Sequence, residues 1–209
     1  MEITWYGHSC FRVTERSMPT VVVDPYDHHS VGFKPLKLKG DIVAISHDAP
    51  GHNFVSGVKG AEWELRGPGE YEIGGVFITA VPMRGENQSR NIVFVLDYDG
   101  VSVAHLGDMT KPPSQTQLEA IGNVDVLLVP VGGGNALNAS KAAEVVSMIE
   151  PGIVIPMHYK VEGSTLALNA LKPFLQDMGV SEEKAEPSLK ISKGASPQET
   201  KVVVLEASQ

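Results

Sequence analysis

The sequence predicts an α/β (α+β) fold, in which β-sheets pack on one another and helices lie outside them. Two observations carry this. The first half of the chain is crowded with short strand-like runs, and the second half alternates strands with helical patterns. A sheet exposes two faces that need cover, so strands first and alternation later is the order expected when sheets stack and helices shield their outer faces. With 209 residues, 42% apolar content and 20% charge, the chain can bury a full core, and one domain spanning 1–209 is expected.

The elements follow in order. Residues 2–6 (EITWY), 10–14 (CFRVT) and 20–26 (TVVVDPY) read as an opening antiparallel meander, broken at Gly7-His8-Ser9 and Ser17-Met18-Pro19 and ended at Asp24-Pro25. Residues 42–45 form a short apolar run, the signature of a buried strand, which stops at a polar loop carrying His47, Asp48 and His52. A further strand is expected at 62–65, a turn at Gly67-Pro68-Gly69, and a strand at 76–81. Residues 91–98 and 101–106 are joined at Asp99-Gly100, a strong hairpin signal.

Beyond residue 113 the pattern changes. Ser114 can cap a helix reaching about Ile121, its hydroxyl accepting an amide hydrogen of the first turn. Residues 125–131 read as a buried strand ended by Gly132-Gly133-Gly134. Residues 139–149 have helical spacing, with Ala142, Val145, Val146 and Ile149 on one face and Pro151-Gly152 as the stop. A strand from Ile153 follows. Ser164 is expected to cap a last helix running to Met178, kinked or divided at Pro173. Residues 180–199 read as an exposed loop and 201–205 as a terminal strand.

The formal net charge of −8 gives no support to a phosphate-binding surface for nucleic acid or to an anionic membrane patch, so the expected partner is a small-molecule substrate. No pattern sets the oligomeric state. The single cysteine, Cys10, leaves no internal disulfide and reads as core. The first residues lack a basic segment followed by an apolar core, and no apolar run approaches the roughly 20 residues needed to span a bilayer, so a cytoplasmic location is expected.

Three buried runs end on a metal-capable side chain. One ends at the His47 loop, VSVAHLGD ends at Asp108, and GIVIPMHY ends at His158. A strand fixes the base of such a residue while the loop keeps it reachable. If the three ends converge, imidazole nitrogens and a carboxylate oxygen form a donor set for Zn²⁺, or for Fe or Mn if the carboxylate weighs more heavily. The competing reading is three separate polar loop residues.

The ordered combination of GHSCF (7–11), DPY (24–26), the SHDAPGH loop (46–52), GPGEYEIGG (67–75), HLGD (105–108), DVLLVPVGG (125–133) and IPMHYK (155–160) resembles the metallo-β-lactamase superfamily. Within it the chain is similar to small bacterial proteins of the ascorbate-6-phosphate lactonase type. The resemblance implies a four-layer αββα sandwich with a metal site at one edge of the two sheets. It also implies the motif HxHxDH, of which this chain keeps only the ends, His47 and His52. Ala49 and Gly51 stand where a second histidine and an aspartate belong, and VPMRGEN places Met83 or Arg84 where a further histidine is expected. Asp108 matches the bridging aspartate and His158 the final histidine.

The two family sites are affected differently. The first retains only His47. The second keeps His52, Asp108 and His158, and three ligands plus a water suffice for a mononuclear catalytic site, so one ion is expected if any. Asp108, His47 and Asp48 are the candidate catalytic residues, the last two as proton relay or ligand support. The resemblance implies a metal-dependent hydrolase acting on an ester, lactone or phosphoester. The alternative is a non-catalytic descendant that has lost ligands and binds a ligand or partner; a nuclease is a third reading, which the acidic charge disfavours.

Other residues are weighed individually. His8 either approaches the site or is a hydrogen-bonded structural histidine. His105 is expected to be buried and to support the Asp108 loop, and His28 and His29 to be exposed. Arg84 and Lys111 fall in loops where they could attract an anion. The glycines at 132–134 lack the GKS/T ending of a phosphate loop and read as a turn that lets backbone approach the site.

Overall fold

The computed structural model describes residues 1–84, 90–181 and 184–208, so part of the VPMRGEN stretch and two residues of the 180–199 loop lie outside the described residues. In chain order the elements are β1 (Glu2–Trp5), β2 (Phe11–Thr14), β3 (Val21–Val23), α1 (His28–Val31), β4 (Leu38–Lys39), β5 (Ile42–Ala44), β6 (Val58–Lys59), β7 (Trp63–Leu65), β8 (Gly69–Ile73), β9 (Val76–Arg84) and β10 (Arg90–Tyr98). They continue as β11 (Ser102–His105), α2 (Gln115–Ile121), β12 (Val126–Pro130), α3 (Ala139–Ile149), β13 (Ile153–Met157), α4 (Lys172–Asp177), β14 (Leu189–Lys190) and β15 (Lys201–Val202).

Two large sheets form. One has the order β14-β1-β2-β3-β5-β7, the other β15-β13-β12-β11-β10-β9-β8, and β4 pairs separately with β6. The period of two along a strand decides how the first sheet is covered. Val21, Val23, Ile42 and Ala44 join a core shared with Ile78, Phe94 and Leu96 of the other sheet, whereas Val22, Val43 and Ile45 pack outward on Tyr26, Val31 and Phe33. Both faces of β3 and β5 are therefore buried, which is why these strands read as continuous apolar runs. On the second sheet, Ala142, Val145 and Val146 of α3 join the core that holds β12 and β13. Each fully buried valine or isoleucine contributes on the order of 1.5–3 kcal/mol.

The expected hairpin forms at Asp99 and Gly100, whose φ values of 52° and 82° are those of a two-residue turn matching strand twist. The Ser114 cap forms as a full capping box with Gln117. Differences elsewhere have local causes. The last helix covers only Lys172–Asp177, because Pro173, which lacks an amide hydrogen, sits in the first turn instead of inside a longer helix. Ser164 accepts from the Leu166 amide at 3.2 Å in a tight turn and caps nothing. The 164–171 segment becomes a strap whose backbone bonds reach across the chain, Thr165 N to Val31 O at 3.1 Å and Asn169 N to Gly132 O at 2.9 Å.

Strand β9 runs past residue 81 to Arg84, which is thus a strand terminus paired with Arg90 and not a loop residue. The loop expected at 180–199 contains β14, which pairs with β1 through Glu2 and Ile3. Helix α1, β8 and the β4–β6 pair have sequence patterns too short or too exposed to register. Among the described residues, no helix is long and apolar enough to cross a membrane.

Candidate metal centre

Parallel pairing puts several strand ends on one edge. β3 and β5 run parallel, which sets Asp24 beside Ser46 just beyond them; β11, β12 and β13 are also parallel, which brings the Asp108 and His158 loops together. Asp24 and His158 take left-handed φ values of 49° and 51°, as does His8 at 51° in the β1–β2 turn. Such conformations cost non-glycine residues about 1–3 kcal/mol and cluster where surrounding structure imposes them for function.

Asp108 is the hub. Its Oδ2 lies 3.6 Å from His47 Nε2 and 3.4 Å from His52 Nε2, and its Oδ1 lies 3.0 Å from His158 Nδ1. The structure thus brings His47, His52, Asp108 and His158 together from three separate loops. Asp48 is not among them: its side chain is 86% exposed, accepts from Asn53 Nδ2, and stands 3.8 Å from Arg66. It points away because the residue after His47 falls on the solvent side of the loop.

A supporting layer fixes these groups. Asp24, fully buried, accepts from Ser46 N at 2.7 Å, from Ser46 Oγ at 2.6 Å and from His52 Nδ1 at 2.8 Å. It lies within ligand reach of His47 and His52, but its oxygens are already engaged, so it orients His52. Ser46 Oγ also meets His47 Nδ1 at 2.9 Å. Asn91 Oδ1 accepts from the Asp108 amide at 3.0 Å while its Nδ2 donates to Leu106 O at 2.9 Å. His105, fully buried, accepts from Gly107 N at 3.1 Å and meets Ser9 O at 2.8 Å, the loop support expected of it. Asp24, Ser46 and Asn91 were not singled out from the sequence; only the DPY and SH matches could have pointed to the first two.

The remaining candidates are also placed. His8 is buried, with Nε2 3.1 Å from His52 Nε2. His29 is exposed and His28 half-buried; with Asp27 they make a second group within ligand reach, but the three are consecutive surface residues around the start of α1. Cys10 is buried core. Gly132 allows the close backbone approach expected of it, donating to His158 O at 2.9 Å.

Charge organises the cluster. Burial opposes ionisation of Asp108, yet His52 and then His158 outweigh it and hold the carboxyl well below its usual range. Burial likewise disfavours a charged His52, but Asp108 and Asp24 outweigh that and raise it to about 10. Burial, reinforced by neighbouring histidines, lowers His8 and His47.

Two adjoining cavities meet at His47 and Asp108. One of about 670 Å³ is lined by Asn91, Asn135, Lys141 and Asn169 as well. The other, of about 300 Å³, lies under the strap residues Leu166 and Leu168 and reaches His8, His52 and His158.

Among the described residues, Asp24, His47 and His52 offer ligand atoms within reach of a common ion. Asp108 Oδ1 and His158 Nδ1 are buried and 3.0 Å apart, but neither is in hydrogen-bond geometry with a partner among the described residues. Two ligands on a tetrahedral Zn²⁺ with bonds of about 2.0–2.1 Å stand about 3.3 Å apart. The pairwise contacts of Asp108 have that spacing, Oδ2 with His47 and His52 at 3.4–3.6 Å and Oδ1 with His158 at 3.0 Å.

Stacked sheets with outer helices and a His/Asp cluster at one edge define a metallo-β-lactamase fold, and the comparisons agree. The chain belongs to the β-lactamase superfamily: residues 2–158 match its domain. It is 30% identical over 185 residues to a UPF0173 protein of Pyrococcus furiosus, covering 76% of this chain and 83% of the relative. It is 27% identical over 191 residues to a UPF0173 metal-dependent hydrolase of Thermoplasma acidophilum, covering 76% and 83%. A crystal structure from Thermotoga maritima, described as a candidate Zn-dependent hydrolase of the metallo-β-lactamase superfamily, superposes with a TM-score of 0.80 at 34% identity, covering 98% of this chain and 97% of that one. Igni18, a metallo hydrolase of Ignicoccus hospitalis, shares the fold with a TM-score of 0.70 at 19% identity, over 91% and 99%.

Proposed function

We propose that the chain is a metal-dependent hydrolase with a reduced, single-ion site, acting on an ester, lactone or phosphoester in a small molecule. The observation that carries this reading is the Asp108 carboxylate, 12% exposed and set among three histidines, whose buried Oδ1 has no hydrogen-bond partner among the described residues. A buried carboxylate oxygen left without a hydrogen bond is costly, and coordination would satisfy it. His52, Asp108 and His158 would hold the ion, which is Zn²⁺, or Fe or Mn given the carboxylate. When bound, the ion lowers the pKa of its water toward neutrality and polarises a carbonyl or phosphoryl oxygen.

The chain's own groups do the rest. His47 lines both cavities, and Ser46 Oγ holds its Nδ1. Because burial favours its neutral form, its Nε2 is placed to accept a proton from an attacking water. The 670 Å³ cavity beside it is of a size for a small-molecule substrate, with Asn135, Asn138 and Asn169 as polar contacts.

The second reading, a non-catalytic descendant, is favoured by Ala49, Gly51 and Met83, the last packed in the core where a histidine was expected. Elemental analysis of protein purified without a histidine tag separates the two. About one equivalent of Zn, Fe or Mn, lost in His158→Ala, together with ester or phosphodiester hydrolysis abolished in Asp108→Ala, supports the hydrolase. Protein that stays folded but takes up no metal after reconstitution sinks it.

A further inference from the structure

The two cavities that meet at His47 and Asp108 have walls of unlike chemistry. Arg90, at the start of β10, and Lys141, in the first turn of α3, line the larger one together with the side-chain amides of Asn135, Asn138 and Asn169. Asp108 is the one carboxylate among the described residues that line it. An adjoining recess, which shares Asn91, Asp108 and Thr110 with this cavity, adds Arg84 and Lys111. Four cations from four separate segments thus border one end of the site, in a chain whose net charge is −8. A cleft lined by one sign of charge focuses its field and draws in the opposite sign. Arg84 and Arg90 also stand directly opposite each other in the β9–β10 ladder, where like charges repel, and an anion beside them relieves that repulsion. Guanidinium groups suit carboxylate and phosphate, which accept two parallel N–H bonds.

The smaller cavity has no lysine or arginine among its described lining residues. Away from the histidines its wall is Val31, Pro50, Leu166 and Leu168. The strap that carries the two leucines is tied by Thr165 N to Val31 O and by Asn169 N to Gly132 O, so this apolar wall is held in place. Its volume of about 300 Å³ has room for a short acyl chain. His47 and Asp108 line both cavities, so a bond held beside them leaves one half of the molecule in each.

We propose that the substrate is an ester of two unlike halves: an anionic half, bearing a carboxylate or a phosphate, held in the larger cavity by Arg90 with Lys141 beside it, and a short apolar half under Leu166 and Leu168. The scissile bond then lies at His47 and Asp108. This rests on the hydrolase reading above and narrows its substrate class. Charge on the part that does not react supplies binding energy that orients the part that does.

The probes are 4-butanoyloxy-3-nitrobenzoate and its neutral methyl ester, which release coloured nitrophenolates and differ only in the remote carboxylate. In metal-loaded protein, the ratio of kcat/KM for the anionic ester to that for the neutral one should fall roughly tenfold in Arg90→Gln, through KM. Comparing ratios cancels the esters' own reactivities. In wild type the ratio should also fall with added salt. Leu166→Asn should erase a preference for butanoyl over acetyl esters, and an unchanged preference would overturn the apolar half. Calorimetry on chelator-treated protein gives a readout free of both turnover and metal: inorganic phosphate and succinate should bind wild type, and bind Arg90→Gln roughly tenfold more weakly. Tighter phosphate assigns a phosphorylated substrate, and tighter succinate a carboxylic one. Arg90 is exposed at a strand end, so the variant is expected to fold, and Lys141→Gln repeats the test from α3. Hydrolysis of both esters in a ratio that Arg90→Gln leaves unchanged, with no anion bound, would overturn the anionic half and leave the hydrolase standing. Anion binding that Arg90→Gln weakens, with neither ester turned over at any metal, would sink the hydrolase reading and leave the anionic cavity standing. Neither binding nor turnover would overturn both.

Discussion

Asp24 accepts from His52 Nδ1 at 2.8 Å, while the opposite ring nitrogen, Nε2, faces Asp108 at 3.4 Å. The buried carboxylate fixes which nitrogen carries the proton and so aims the other at the site. In Asp24→Asn the amide NH₂ can donate to Nδ1 and force the proton to Nε2, where it blocks ligation. Metal affinity is expected to fall roughly 10–100-fold. Asp24→Ala should in addition lower stability by about 1–3 kcal/mol, since Ser46 and His52 lose a buried partner. Competition titrations and denaturant melts measure the two effects.

Metal affinity should rise with pH. His52 is raised from 6.5 to about 10 in the metal-free protein, so binding must displace its proton over most of the neutral and alkaline range. Calorimetry in buffers of different ionisation enthalpy should show proton release at pH 8. Buffer-independent heats there would contradict the protonated His52.

The metal-free protein should be most stable near pH 6.5. A raised His52 contributes stability that is complete below 6.5 and is lost as pH climbs toward 10. His8, His47 and His105 are lowered, chiefly by burial, so the stability they contribute is present above 6.5 and is lost as pH falls below it. Melting temperatures of chelator-treated protein from pH 5 to pH 10 test this; a monotonic trend would argue against it.

Gly132→Ala should be severely destabilising. The added Cβ would lie 2.3 Å from His158 O and 2.7 Å from Tyr159 Cα, backbone atoms that cannot rotate aside. We expect a loss of about 1–3 kcal/mol or more, and weakened metal binding through displacement of His158. Thermal melts with metal titration show whether the two losses come together.

Asp48→Ala should change metal affinity and hydrolysis by less than about twofold, as for other surface substitutions away from packed or bonded features. Its side chain is 86% exposed and turned toward Asn53 and Arg66. A larger loss in steady-state kinetics would mean that the loop turns inward during catalysis.

The sequence by itself determined the strands, most of their turns and the loops that carry the metal-capable groups. Alternation, a continuous apolar run, the Asp99-Gly100 turn and the Ser114 cap each act within a few residues, so each can be read locally. The same is true of the strand ends that deliver His47, Asp108 and His158. Residue order alone could not decide which polar groups would meet. His8 and His52 are 44 residues apart and Asp24 and His52 are 28 apart, and their contacts exist because parallel strand pairing and the β1–β2 turn bring those loops to one edge. The strap was hidden for a related reason: residues 164–169 bond to the backbones of Val31, Lys160 and Gly132, and those tertiary partners override the helical spacing of the segment. The packing of the His8 ring against Gly51, where an added Cβ would lie 2.9 Å from His8 Nε2, emerges only at this level, since the space a side chain needs is set by whatever the fold places beside it.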